Sequence, residues 1–74
     1  MQPYLHARAR SGVTDYEIGA DYVLVRFSGG RTYRYSHARA GVHHVERMKE
    51  LASAGRGLAT YITQHVHDLY DRDG

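Results

Sequence analysis

The stretch Tyr22-Val23-Leu24-Val25-Arg26-Phe27-Ser28-Gly29-Gly30-Arg31-Thr32-Tyr33-Arg34-Tyr35-Ser36 decides the fold. Val23, Val25 and Phe27 alternate with Leu24 and Arg26, the period of a strand with one buried face. Gly29-Gly30 interrupts the run with a hairpin signal. From Arg31 to Ser36 the alternation resumes, with Tyr33 and Tyr35 on a shared face. The reading is two antiparallel strands, over about 22–28 and 31–36.

Loop length sets which side the tyrosines take, because a one-residue slip moves every side chain to the other face. A two-residue loop, Gly29-Gly30, puts Tyr33 and Tyr35 beside Arg26. A three-residue loop, Ser28-Gly29-Gly30, pairs Phe27 with Arg31, Val25 with Tyr33 and Val23 with Tyr35. A five-residue loop also keeps the tyrosines with the valines. Odd loops are common hairpin forms. Aromatic residues opposite β-branched ones are favourable by about 0.2–1 kcal/mol per pair. The expectation is therefore an odd loop with both tyrosines in the core. The exposed face then carries Leu24, Arg26, Thr32, Arg34, Asp15 and Glu17. Arg26 and Arg34 lie close together there and need Glu17, Asp15 or an outside anion between them.

Upstream, residues 13–18 read as a strand with Thr14, Tyr16 and Ile18 on one face and Asp15 and Glu17 on the other. Gly19-Ala20-Asp21 is a turn. Downstream the period changes. Val42, Val45, Met48 or Lys49, and Ala52 follow helical steps with Leu51 beside them, predicting a helix over 39–53. Ser36 or His37 can cap its start, and Gly55 is placed to stop it. Leu58, Tyr61, Ile62, His65 or Val66, and Leu69 form the buried stripe of a second helix predicted over 57–70. The fold class is α+β: a three-stranded antiparallel β-meander followed by two α-helices packed on one face. Residues 1–10 read as a basic, loosely held arm, 11–70 as the domain and 71–74 as an acidic tail.

At 74 residues the chain is one domain. Such a domain buries only about 60% of its unfolded surface, and its net stability is roughly 4–11 kcal/mol. The absence of cysteine excludes disulfides, thiolate zinc sites, Fe–S clusters and Cys nucleophiles. The longest aliphatic run, Val23-Leu24-Val25, is far short of the ~20 residues that span a bilayer. With no apolar leader either, the expectation is a cytoplasmic protein and no membrane partner.

Net charge is +2, and of the ten basic residues only Lys49 is not arginine. Residues 68–74 carry Asp68, Asp71 and Asp73 against Arg72, leaving +4 on residues 1–67. Arginine's fork suits phosphate and carboxylate. The six histidines do not show the firm spacing of a metal site. His65 and His67 are about 200° apart on a helix, and His43 and His44 diverge by about 100°. A cross-element pair such as His37 with His44 is the remaining option, and no metal is expected. No serine sits in a nucleophile elbow. Gly55-Arg56-Gly57 lacks the Lys-Ser/Thr of a P-loop. Glu46 and Glu50, one helical turn apart, sit near Arg47 and Lys49 as on a solvated face. Neither an enzyme nor a cofactor is expected.

Val23, Val25, Phe27, Gly30, Tyr33 and Tyr35, followed by Ser53, Gly55, Leu58 and Ile62, resemble the KTSC domain family. This is a short bacterial module found alone and at the C-terminus of some lysyl-tRNA synthetases. The resemblance covers about 11–70. Ala59 stands where the family has Asn, and Ala38-Arg39 where it has Val-Pro. The Y-x-Y tyrosines, Ser53 and Gly55 are family-motif positions with a structural role. RNA binding has been suggested for the family. The resemblance therefore implies an RNA-contacting module, using Arg26, Arg31, Arg34, Arg56, Arg8 and Arg10 on phosphates. The other reading is a protein-interaction module, pairing with a partner or with itself through a strand edge or a helix face.

Overall fold

The computed structural model describes residues 2–4 and 12–71. Arg8 and Arg10 lie outside the described residues. The order of elements is β1 (Gln2–Pro3), β2 (Val13–Ile18), β3 (Tyr22–Phe27), β4 (Thr32–Ser36), α1 (His37–Ala40), α2 (Val42–Ala54) and α3 (Leu58–Tyr61). A π-helical turn, Ile62–Val66, continues α3. The strands form one antiparallel sheet in the order β1-β2-β3-β4.

The central hairpin has the odd register. Val23 is level with Tyr35 and Val25 with Tyr33. The Phe27 N–H donates to the Arg31 carbonyl at 2.8 Å, closing the loop Ser28-Gly29-Gly30. Tyr35 is fully buried, while Tyr33 is only half-buried. The helix-facing side of the sheet is thus the apolar one, with Val13, Val23 and Val25 completely enclosed.

Four features depart from the sequence reading. First, the sheet has a fourth strand. Gln2 pairs with Tyr16 and Pro3 with Asp15, and the Tyr4 N–H donates to the Thr14 carbonyl at 2.9 Å. Tyr4 is 2% exposed. Its ring meets Tyr16 edge-on, centroids 6.4 Å apart, and its hydroxyl accepts from the Leu58 N–H at 3.2 Å. Residues 2–4 of the expected loose arm are therefore held on the sheet, Gln2 and Pro3 exposed and Tyr4 in the core. Tyr4 both packs and satisfies an otherwise orphan donor at the start of α3.

Second, β2 carries a bulge. Val13 is level with Phe27 but Asp15 with Arg26, so Thr14 is an extra residue. The bulge changes the phase of the strand. Val13 and Tyr16, three residues apart, are both buried, and Ile18 is left 43% exposed. Third, the expected helix over 39–53 is two helices. Gly41, at φ 99°, separates α1 from α2, and a helix cannot propagate through a positive φ. Ser36 caps α1 by accepting the Arg39 N–H at 3.2 Å. α2 stops at Gly55, whose N–H reaches back to the Leu51 and Ala52 carbonyls. Fourth, the second helix ends as a π turn at Val66 rather than running to 70. The chain then returns to β4, where the Asp71 N–H donates to the Arg34 carbonyl at 2.6 Å.

Val45, Met48 and Ala52 form the buried stripe of α2, joined by Leu58, Ile62 and Val66 from the following run. Among the described residues, no helix is long and apolar enough to cross a membrane.

Candidate nucleic-acid interface

Among the described residues, one face of the sheet carries no helix. Along it the register sets Glu17, Leu24 and Arg34 in one row and Asp15, Arg26 and Thr32 in the next. Arg26, Thr32 and Arg34 are exposed. The two arginines are diagonal neighbours across β3 and β4, a separation of about 7–8 Å between Cα atoms.

Each guanidinium has an acidic partner. Arg26 Nη1 is 3.9 Å from Asp15 Oδ1, with the Arg26 side chain 49% exposed. Arg34 Nε is 3.4 Å from Asp71 Oδ2, with the Arg34 side chain 50% exposed. Both ion pairs are long and wet, a class that adds about 0–1 kcal/mol. Arg34 also lies over the Tyr22 ring, 4.6 Å from its centroid. The Tyr22 hydroxyl donates to Glu17 at 3.3 Å. Gly19 makes this arrangement possible, because a Cβ there would fall 2.1 Å from the Tyr22 ring.

The other expected contact residues lie elsewhere. Arg31 is on the helix-facing side of the hairpin, where its hydrogen bond to Tyr33 raises its already high pKa. Tyr33 sits between Phe27, centroid 5.5 Å away, and Tyr70, 4.7 Å away. Arg56 is exposed in the turn between α2 and α3, at a distance in the chain from both hairpin groups. The geometry thus brings Arg26 and Arg34 together, with Arg31 around the strand edge, and leaves Arg56 apart. Of the motif residues, Ser53 is exposed in the last turn of α2 and Gly55 is buried at its cap.

Two contributors to this surface, Tyr22 and Asp71, escape sequence reading, as does Tyr70 against Tyr33 on the reverse side. Asp71 is 35 residues from Ser36, whose hydroxyl it accepts at 2.7 Å. No local pattern signals a contact across that separation.

The described histidines make protein contacts. His37 Nε2 is 2.7 Å from Glu46 Oε2 rather than beside His44. His44 Nδ1 is 2.7 Å from the Tyr61 hydroxyl, and its ring stacks on His65 at 5.9 Å. Lys49 shares Glu46 at 2.7 Å and donates to the Ala20 carbonyl at 3.1 Å. The Lys49 and His37 contacts hold the Glu46 carboxyl below its ordinary value. Among the described residues, no group of three or more His, Asp or Glu is arranged to hold a metal ion.

Open grooves flank the described sheet and helix. One, of about 330 Å³, runs beside Gln2, Tyr16, Glu17 and Ile18. Another, of about 360 Å³, follows the outer side of α2 along Val42, His43, Glu46, Arg47 and Glu50. No family model, curated protein or solved structure matches this chain.

Proposed function

We propose that this chain is a small non-catalytic module that binds RNA through arginine contacts to backbone phosphates. The observation that carries the reading is the helix-free sheet face with Arg26 and Arg34 as diagonal neighbours. Their carboxylate partners are weak competitors, because both pairs are long and half-exposed. A phosphate offers more acceptor oxygens than a carboxylate and suits the guanidinium fork. The resemblance to the KTSC family points the same way. A net charge of +2 fits weak, salt-sensitive, sequence-tolerant binding rather than tight recognition.

Fluorescence anisotropy with short labelled RNAs tests this. At low salt the wild type binds, and log K falls with log salt by about 0.7 per phosphate contact. Arg26→Gln/Arg34→Gln lowers both affinity and slope. No binding at low salt rejects the reading, and an unchanged affinity in the double variant rejects the sheet face.

The protein-interaction reading is favoured at one place, the outer side of α2, where Val42 is 57% exposed beside the second groove. Pairing through a strand edge has less to recommend it. Pro3 on β1 has no N–H to offer, and the Arg34 carbonyl on β4 is already taken by Asp71.

A further inference from the structure

The last described residues contact β4 on both sides of its edge. Tyr70 lays its ring against Tyr33, centroids 4.7 Å apart and planes 55° from parallel. Asp71 reaches the opposite side. Its Oδ1 accepts from the Ser36 hydroxyl at 2.7 Å, its Oδ2 is 3.4 Å from Arg34 Nε, and its N–H donates to the Arg34 carbonyl at 2.6 Å. A flat ring and an anion, adjacent in the chain, therefore straddle the strand.

A nucleotide carries the same two parts, a flat base and a negative phosphate. We infer that Tyr70-Asp71 is an internal stand-in for one nucleotide of single-stranded RNA, and that RNA binds across the β4 edge by displacing it. The base takes the place of Tyr70 on Tyr33. The phosphate takes the place of Asp71 on Arg34 and Ser36. This rests on the RNA-binding reading above and adds to it the position of one nucleotide and the group that competes with it.

Three observations support the exchange. Phe27 backs the Tyr33 ring from a second side at 5.5 Å, so the platform stays in place when Tyr70 leaves. Ser36 is a buried polar residue, 8% exposed, whose hydroxyl is aimed at the carboxylate. Once Asp71 departs, that hydroxyl needs another acceptor, since a buried donor is not left unpaired cheaply. The Asp71 carboxylate is itself held on Arg34 at the length of a weak pair. Stacking on one tyrosine tolerates any base, in keeping with binding that reads little sequence. A ligand tethered in the same chain lowers apparent affinity by the fraction of molecules in which it is seated.

The test is anisotropy of a labelled ten-nucleotide uridine RNA with the full chain at low salt. Asp71→Asn is expected to bind roughly threefold to tenfold more tightly than the wild type. Its salt slope is expected to stay close to that of the wild type, because RNA on the wild type has already displaced Asp71 and makes the same phosphate contacts. Adding Tyr33→Ala to Asp71→Asn is expected to lower affinity roughly tenfold. If the wild type binds, Arg34→Gln weakens it and Asp71→Asn binds no more tightly than the wild type, the RNA reading stands and the inference falls. If neither wild type nor Asp71→Asn binds, both fall. Amide hydrogen exchange on the unmodified chain decides the matter without a variant. Saturating RNA is expected to remove the protection of the Asp71 N–H, and protection that persists overturns the inference.

Discussion

Tyr33 and Tyr35 stand two residues apart on β4 and point to the same side of the sheet, yet one is half-buried and the other 1% exposed. Tyr35 is level with Val23, at the end where β4 runs into α1. Tyr33 is level with Val25, one step nearer the hairpin, and its neighbours are the rings of Phe27 and Tyr70. Periodicity assigns a side chain to a face. How far the opposite layer extends decides whether water reaches it. The helix end of the sheet serves stability, with its outer rim tied by Glu46, His37, Lys49 and the Ala20 carbonyl. The hairpin end keeps aromatic rings and guanidiniums near solvent.

The largest effect that tests this contrast is truncation. Tyr35→Ala is expected to cost about 3–5 kcal/mol, the range for emptying a buried aromatic site. That is much of what a domain of this size has. Tyr33→Ala is expected to cost about 1–2 kcal/mol. Urea unfolding followed by circular dichroism measures both, and equal costs would erase the distinction between the two ends.

Alkaline titration sharpens it next. Burial pushes the Tyr35 hydroxyl up to about 12, with Tyr33 and Tyr70 adding to the shift. In the unfolded chain a tyrosine ionises near 10. The stability linked to Tyr35 is therefore intact below about pH 10 and is lost as the pH rises from there towards 12. An ultraviolet titration of the wild type against Tyr35→Phe should lack the latest ionisation in the variant. A Tyr35 that ionises near 10 in the folded protein would mean that water reaches the helix end too.

The smallest effect belongs to the rim. Glu46 is exposed, and its contacts to Lys49 and His37 hold its carboxyl low. A lowered carboxyl contributes stability above its unfolded pKa and loses it as the pH falls. Glu46→Gln should therefore lower the melting temperature slightly near neutral pH. The difference should fade in acid and in high salt, where exposed pairs are screened. A large loss would show that charges rather than packing secure the helix end.

Much of the frame was legible because short-range physics writes it. The alternation of Val23, Val25 and Phe27 identifies β3, and the pairing preference of tyrosine for valine selects the odd loop. Gly55 marks the end of α2. Tyr4 was hidden, because two paired residues and one ring form no periodic pattern. The bulge at Thr14 was hidden as well, since strict alternation puts Thr14 rather than Val13 on the buried face with Tyr16.

The candidate interface divides along the same line. Placing Arg26 and Arg34 on one open face needs only the strand period and the loop length, both local quantities. Of their carboxylate partners, Asp15 is local too: the turn at Gly19-Ala20-Asp21 sets Ile18 level with Val23 and hence Asp15 with Arg26, and the bulge lies beyond them at Thr14. Asp71 reaches Arg34 and Ser36 only because the chain turns back after the π-helical turn and closes a loop of 35 residues. Periodicity and turn chemistry act over a few residues, so the sequence by itself determined the strands, the faces and the helix caps. Contacts between segments far apart in the chain depend on how the layers dock. The tertiary structure alone decided that Tyr33 is only half-buried, under Tyr70, and that an aspartate from the far end of the chain sits on the arginine of the open face.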